Sequence, residues 1–268
     1  MRCSHVASIS IDDLVKRASP KYEMLINTQS FSQFIYFSYL FCLFVVVKEH
    51  TMSLYKIEEY IETGNHHDLE TLLRSDSSLL RENTSHDISP LLLACYYHKE
   101  QVIKTILNHL TTITIHEACA IGLGDQVELM LHQKPEIIDE ISSHGFTPLG
   151  IASHFGQEAV VRILLAKHAD PNICSQNGFQ VYPLHTALTG KFDSISKMLI
   201  EAGAEVNIVQ NARITPLHIA AQQGNIELII LLLEMGADIT IKTDQGATAS
   251  DLAFEKGFKE IAEILQVA

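Results

Sequence analysis

Three histidines, His116, His185 and His218, recur at one place in a pattern that repeats along the chain. Imidazole is the commonest metal ligand, so a recurring set invites a metal reading. The rest of the chemistry does not follow. His66 and His67 are adjacent and do not share a helical face, which makes them a weak ligand pair. Cys3, Cys42, Cys95, Cys119 and Cys174 contain no Cys-x-x-Cys, and no glycine-rich phosphate loop occurs. No group of residues stands out as nucleophile, base and oxyanion donor, so the expectation is a protein that is not an enzyme, with no cofactor and no metal.

The elements that position these residues are clearest at Ile214 to Asp238, ITPLHIAAQQGNIELIILLLEMGAD. Thr215-Pro216 opens a helix, because proline's missing N–H and fixed φ suit the first helical turn. Leu217, Ile219, Ala220 and Ala221 supply its apolar and small positions, and Gly224 can take the left-handed conformation that ends it. A second helix follows with Leu228, Ile229, Leu231, Leu232 and Leu233 as a broad apolar stripe, and Gly236-Ala237-Asp238 turns the chain out again. Neither helix can bury its stripe alone.

The same pattern lies up and down the sequence. Aligned on Leu217, one column reads Ile57, Leu91, Ile115, Leu149, Leu184, Leu217 and Ser250, with steps of 34, 24, 34, 35, 33 and 33. Three residues on, it reads Tyr60 and then alanine six times, at 94, 118, 152, 187, 220 and 253. Seven on, glycine stands at 64, 122, 156, 224 and 257, with His98 and Lys191 as departures. Fifteen on come Leu72, Ile106, Met130, Leu164, Leu199, Leu232 and Leu265.

This pattern resembles the ankyrin repeat, with its period of about 33 residues and its T-P-L-H-x-A signature. The resemblance implies an all-α solenoid of helix-turn-helix repeats with short β-hairpin loops, in about seven repeats over residues 53–268. The divisions fall near 53–86, 87–110, 111–144, 145–178, 179–212, 213–245 and 246–268. It also implies that the recurrent histidines are structural, each ring bonding backbone between neighbouring repeats, and that Asn172 and Asn207 make hairpin hydrogen bonds. Cys95 and Cys119 share a column just after the alanine of each first helix, a place for a buried small residue, and reduced thiols fit it.

The repeats are not uniform. Ser53 is the expected N-cap of the first, whose Tyr60 and polar helices suit an end facing water. The short step from Leu91 to Ile115 removes the hairpin after the second or reduces it to a turn around Leu110 to Thr114. The third leads through Lys134-Pro135 to a long connection, the fourth has Gly150 where histidine is usual, and the fifth has two extra residues between Cys174 and Tyr182. In the last, Ser250 and Glu255 are expected to dilute the apolar surface as a C-terminal cap.

The implied function is capture of a partner protein through a concave groove and hairpin tips. Groove positions follow the buried small pair, and three aromatics and an isoleucine cluster there in repeats two to four. The candidates are Tyr96, Tyr97, Ile121, His154, Phe155, Gln222 and Gln223, with His144 and Asn211 at hairpins. Aromatic side chains dominate interface hot spots. Equally, Tyr96 and Phe155 can pack against neighbouring repeats.

Formal charge is −13, and residues 52–268 hold 14 Lys/Arg against 28 Asp/Glu, which argues against nucleic acid. Residues 1–51 are a separate, non-repeat segment carrying eight of the nineteen Phe and Tyr residues. Its run Phe31 to Val47 is uncharged for 17 residues, short for a membrane span of about 20 and poor as a signal peptide. A membrane-tethered adaptor is the alternative if this run is expressed. The favoured expectation is a start at Met52, because Lys48-Glu49 can be encoded by a bacterial ribosome-binding tract, which would make the protein bacterial and cytoplasmic.

Overall fold

The structure is a computed structural model that describes residues 52–267. The chain divides into two units, Met1–Ser53 and Leu54–Ala268, and the solenoid belongs to the second. The apolar run Phe31 to Val47, with the anchor, signal and start-site readings attached to it, lies outside the described residues. Among the described residues no helix is long and apolar enough to cross a membrane.

Fourteen α-helices follow one another in pairs among the described residues. They are α1 (52–63) with α2 (His66–Ser75), α3 (Pro90–Tyr96) with α4 (Glu100–His109), and α5 (Ile115–Ile121) with α6 (Gly124–Gln133). Then come α7 (Pro148–His154) with α8 (Glu158–Ala166), α9 (Pro183–Thr189) with α10 (Asp193–Glu201), α11 (Pro216–Gln223) with α12 (Ile226–Glu234), and α13 (Ala249–Glu255) with α14 (Lys259–Val267). From α3 on, the first helix of each pair packs on the first helix of the next, and the second helices form an outer layer.

Inner helices of seven or eight residues are too short to stand alone in water, so their ends are held by side chains. Ser89, Thr147 and Thr215 accept a hydrogen bond from the backbone N–H three residues on, and proline follows each directly. Thr114 and Thr248 form reciprocal capping boxes with Glu117 and Asp251. At the other end, Gly122 and Gly224 take left-handed φ of 81° and 70°, and His98 and Lys191, where glycine is absent, take the same conformation at 53° and 58°.

The column through Leu217 is buried at all seven positions, none more than 5% exposed. The six alanines three residues on are fully buried, which lets inner helices approach closely. The outer-helix column is corrected in two places. In α2 and α6 the buried residues are Leu69 and Leu73, and Val127 and Leu131, so Leu72 and Met130 are only half-buried. In both pairs the chain then continues into a 3₁₀ turn, Ser77–Arg81 or Pro135–Asp139, in place of a glycine-centred turn.

Two end-cap expectations also change. Residue 52 is already helical, so Ser53 lies inside α1 and is not its N-cap. Ser250 is buried, and its hydroxyl donates to the Ala262 carbonyl at 2.8 Å, which ties α13 to α14 and dilutes no exposed surface.

The outward loops are turns, each closed by one or two backbone bonds, such as Ser142 N–H to the Phe146 carbonyl at 2.9 Å and Thr243 N–H to Ala247 at 2.9 Å. The single bridge among the described residues pairs Gln210 with Ile214. These loops are too short for a ladder of several rungs. Between α4 and α5 there is no such loop, only Leu110 to Thr114.

Candidate functional site

Helix α3 ends at Tyr96 with Tyr97 as its C-cap, and α7 ends at His154 with Phe155 as its C-cap. Between them stands α5, which carries Ala120 at the place of Tyr96 and His154. A methyl group leaves room, and Tyr96 reaches past it. Its ring centroid is 5.0 Å from Phe155 and 5.3 Å from His154, both tilted by just over 50°. His154 meets Phe155 edge-on at 4.9 Å. These are favourable spacings for aromatic pairs.

His144, from the loop before α7, closes the cluster 6.4 Å from Tyr96 and 5.4 Å from Phe146. Both of its ring nitrogens are buried without a hydrogen-bond partner. Burial, and then the neighbouring His116, push its imidazole down to about 4, against a weaker pull upward from Asp87. Burial raises the Tyr96 phenol to about 12, with Cys95 adding to it. The structure therefore brings together Tyr96, His144, His154 and Phe155, and adds Phe146, which the repeat columns pass over because it lies in a loop.

The remaining candidates separate. Tyr97 is 41% exposed, and its hydroxyl donates to Glu62 at 3.0 Å across the α1–α3 step. Ile121 is half-buried and touches the core on both sides of it. Gln223 is a structural tie: its amide donates to the Leu188 carbonyl at 2.7 Å, as Gln157 does to Ala120 at 2.8 Å. Gln222 and Asn211 are exposed two repeats beyond the aromatic cluster, on α11 and in the turn before it.

The recurrent histidines bind backbone. Nε2 of His116, His185 and His218 lies 2.8, 3.1 and 3.3 Å from the carbonyls of Glu140, Ile214 and Ala247. Burial lowers all three, His185 to about 4. Among the described residues no group of three His, Cys, Asp or Glu could hold a metal ion. Asn172 and Asn207 likewise tie successive turns. Each donates to the carbonyl of Gly203 or Gly236 and accepts from the N–H of Glu205 or Asp238. Asp139 accepts from Asp170 N–H one step earlier. Cys95 and Cys119 are free and buried, and burial raises both thiols, that of Cys95 to about 12.

Short capped inner helices, alanine contacts and histidine ties from one pair to the next define an α-helical repeat solenoid. The family model for ankyrin repeats in three copies matches residues 60–175, 115–210 and 184–266. The chain belongs to the ankyrin-repeat family, a non-enzymatic protein-interaction module. It is 31% identical over 109 residues to human transient receptor potential cation channel subfamily A member 1, covering 39% of this chain and 9% of that protein. It is 37% identical over 67 residues to the human DNA-binding protein RFXANK, covering 25% of this chain and 26% of that one. The chain thus spans about a tenth and about a quarter of these two relatives.

Proposed function

We propose that residues 52–268 form seven ankyrin repeats, divided as above, that act as a scaffold docking a partner protein at the inner ends of α3 and α7. The observation that carries this is Tyr97, a large aromatic left 41% exposed beside the Tyr96, His154 and Phe155 cluster. The connection from α4 to α5 is only residues 110–114, with no outward loop. A rigid aromatic surface on preformed helices loses little entropy on binding. From α5 on, Gln157, Gln223 and three histidines fix neighbouring pairs, so that side of the surface has little freedom to lose. The acidic balance of the repeats argues against a nucleic-acid partner on electrostatic grounds.

The test is affinity capture from the native host with the parent chain, with Tyr97→Ser, and with Gln222→Ala as a control on exposed α11. A partner that is kept by Gln222→Ala and lost by Tyr97→Ser, with unchanged far-UV circular dichroism, supports docking at α3. A partner kept by Tyr97→Ser sinks it.

A further inference from the structure

The apolar core of the solenoid is in two parts. One cluster joins α1 to α4 through Ile57, Leu69, Leu91, Ala94, Val102 and Ile106. The other starts at Leu92 and Cys95, on the far face of α3, and runs to Leu265 in α14. Only half-buried Ile103, Ile113 and Ile121 touch both. On the outer side α4 and α6 pack less closely than α6 and α8, as α12 and α14 also do at the far end. Between them is an open cleft of about 310 Å³ lined by Leu107, Leu110, Ile113, Leu123 and Met130.

The cause lies in the chain. The short step from Leu91 to Ile115 leaves Leu110 to Thr114 as the whole connection, so the third pair has no outward loop to lay against its neighbours. The turn ties of Asp139, Asn172 and Asn207 fasten later steps only. At the α3–α5 step the fastening comes from α7 and the loop before it, reaching past α5. Tyr96 stacks on Phe155 and His154, Ser143 Oγ donates to the Asp87 carbonyl at 2.8 Å, and Asn83 Nδ2 donates to Ser143 Oγ at 3.4 Å.

We propose that α1–α4 is a separately opening body, hinged at Leu110 to Thr114 and latched to the rest by Tyr96 on Phe155 and Ser143 on Asp87. Opening breaks the latch and parts α3 from α5, withdrawing Leu92 and Cys95 of α3 from the second core together with the contacts of the three half-buried isoleucines. Local openings of this kind have free energies below global unfolding and act as contiguous cooperative units. In a solenoid, where stability is a sum of repeat and nearest-neighbour terms, the weakest interface sets where the array divides.

The test is native-state hydrogen exchange, read by mass spectrometry on the full 268-residue chain in sub-denaturing urea. The expected result is that α2, α3 and α4 exchange together, at one rate and faster than α7 to α11. Tyr96→Ala is expected to raise that shared rate at least tenfold and leave α9 to α11 unchanged. Phe155→Leu, which keeps an apolar side chain of similar bulk, and Ser143→Ala give the same pattern more weakly, should Tyr96→Ala fail to fold. Exchange graded from fast α2 to slow α4 would mean ordinary end fraying and would overturn the proposal. So would a single rate for α2 to α11, or a latch variant that leaves α2 to α4 unchanged.

Discussion

Tyr182 leaves Nδ1 of His185 with no hydrogen-bond partner, its ring lying 5.8 Å from the imidazole without offering it a polar atom. One repeat later Thr215 stands in the same place, and both its hydroxyl, at 2.7 Å, and its backbone N–H, at 3.2 Å, meet Nδ1 of His218. Tyr182 also gives α9 no side-chain N-cap, whereas Thr215 caps α11.

Replacing Tyr182 with threonine is therefore expected to stabilise the chain. A restored cap contributes about 1 kcal/mol, and a partner for a buried nitrogen removes a cost of similar size. Against this stands the loss of a contact with half-exposed Cys174, worth less at that exposure. The urea midpoint of Tyr182→Thr should rise by about 1 to 2 kcal/mol equivalent; a lower midpoint would show that the ring's packing outweighs the missing cap.

Two glycines with the same sign of φ should respond differently to alanine. At Gly156, φ is 70° and an added β-carbon would lie 2.5 Å from the ring of Phe192; at Gly203, φ is 90° and nothing is within 4 Å. Both changes carry the left-handed cost of about 1 to 2 kcal/mol, and only Gly156→Ala adds overpacking of about 1 to 3 kcal/mol. Gly156→Ala is expected to be the more destabilising by at least about 1 kcal/mol in urea denaturation, and equal losses would remove Phe192 from the account.

The inner column and the alanine column could be read directly from the sequence because Ser89, Thr147, Thr215 and Thr248, two residues before the column, mark the helix start and fix its register. The outer-helix column could not. In Leu72-Leu73 and Met130-Leu131 two adjacent apolar residues lie about 100° apart on a helix, and only the entry angle of α2 and α6 decides which faces the core. The histidine ties followed from the family resemblance, but the orphaned nitrogen of His185 needed the neighbouring cap to be seen. The Tyr96–Phe155 contact was out of reach for a different reason. Repeat columns predict contacts between adjacent repeats, and this one spans two steps because Ala120 is small and the third pair lacks a loop.

His98 and Lys191 are the two turn residues that take left-handed φ without being glycine at that column. Each change to glycine removes about 1 to 2 kcal/mol of backbone strain and gives back part of it as greater freedom of the unfolded chain. The net expectation is a gain of about 0.5 to 1 kcal/mol for Lys191→Gly and for His98→Gly. The two sites are several repeats apart, so the double variant should show the sum. A loss at Lys191 would mean that its side chain has a packing role that outweighs the strain.

Acid is expected to weaken the fold before the carboxylates titrate. Burial holds His144 and His185 at about 4 and lowers His116, His154 and His218, while the unfolded chain protonates near 6.5. Because the folded values are depressed, the unfolded state binds more protons between these limits. Stability is therefore full above about 6.5 and falls as pH drops toward about 4, by up to about 1.4 kcal/mol per pH unit for each such histidine. Urea midpoints at pH 7 and pH 5 measure the slope. His144→Phe isolates one contributor. It keeps a ring beside Tyr96 and Phe146, removes two unpartnered nitrogens, and leaves His116 and Asp87 as the charged or titratable neighbours. Its midpoint should be higher than the parent's at pH 7, and the difference should widen at pH 5. A constant difference at both values would mean that His144 does not take up a proton on unfolding.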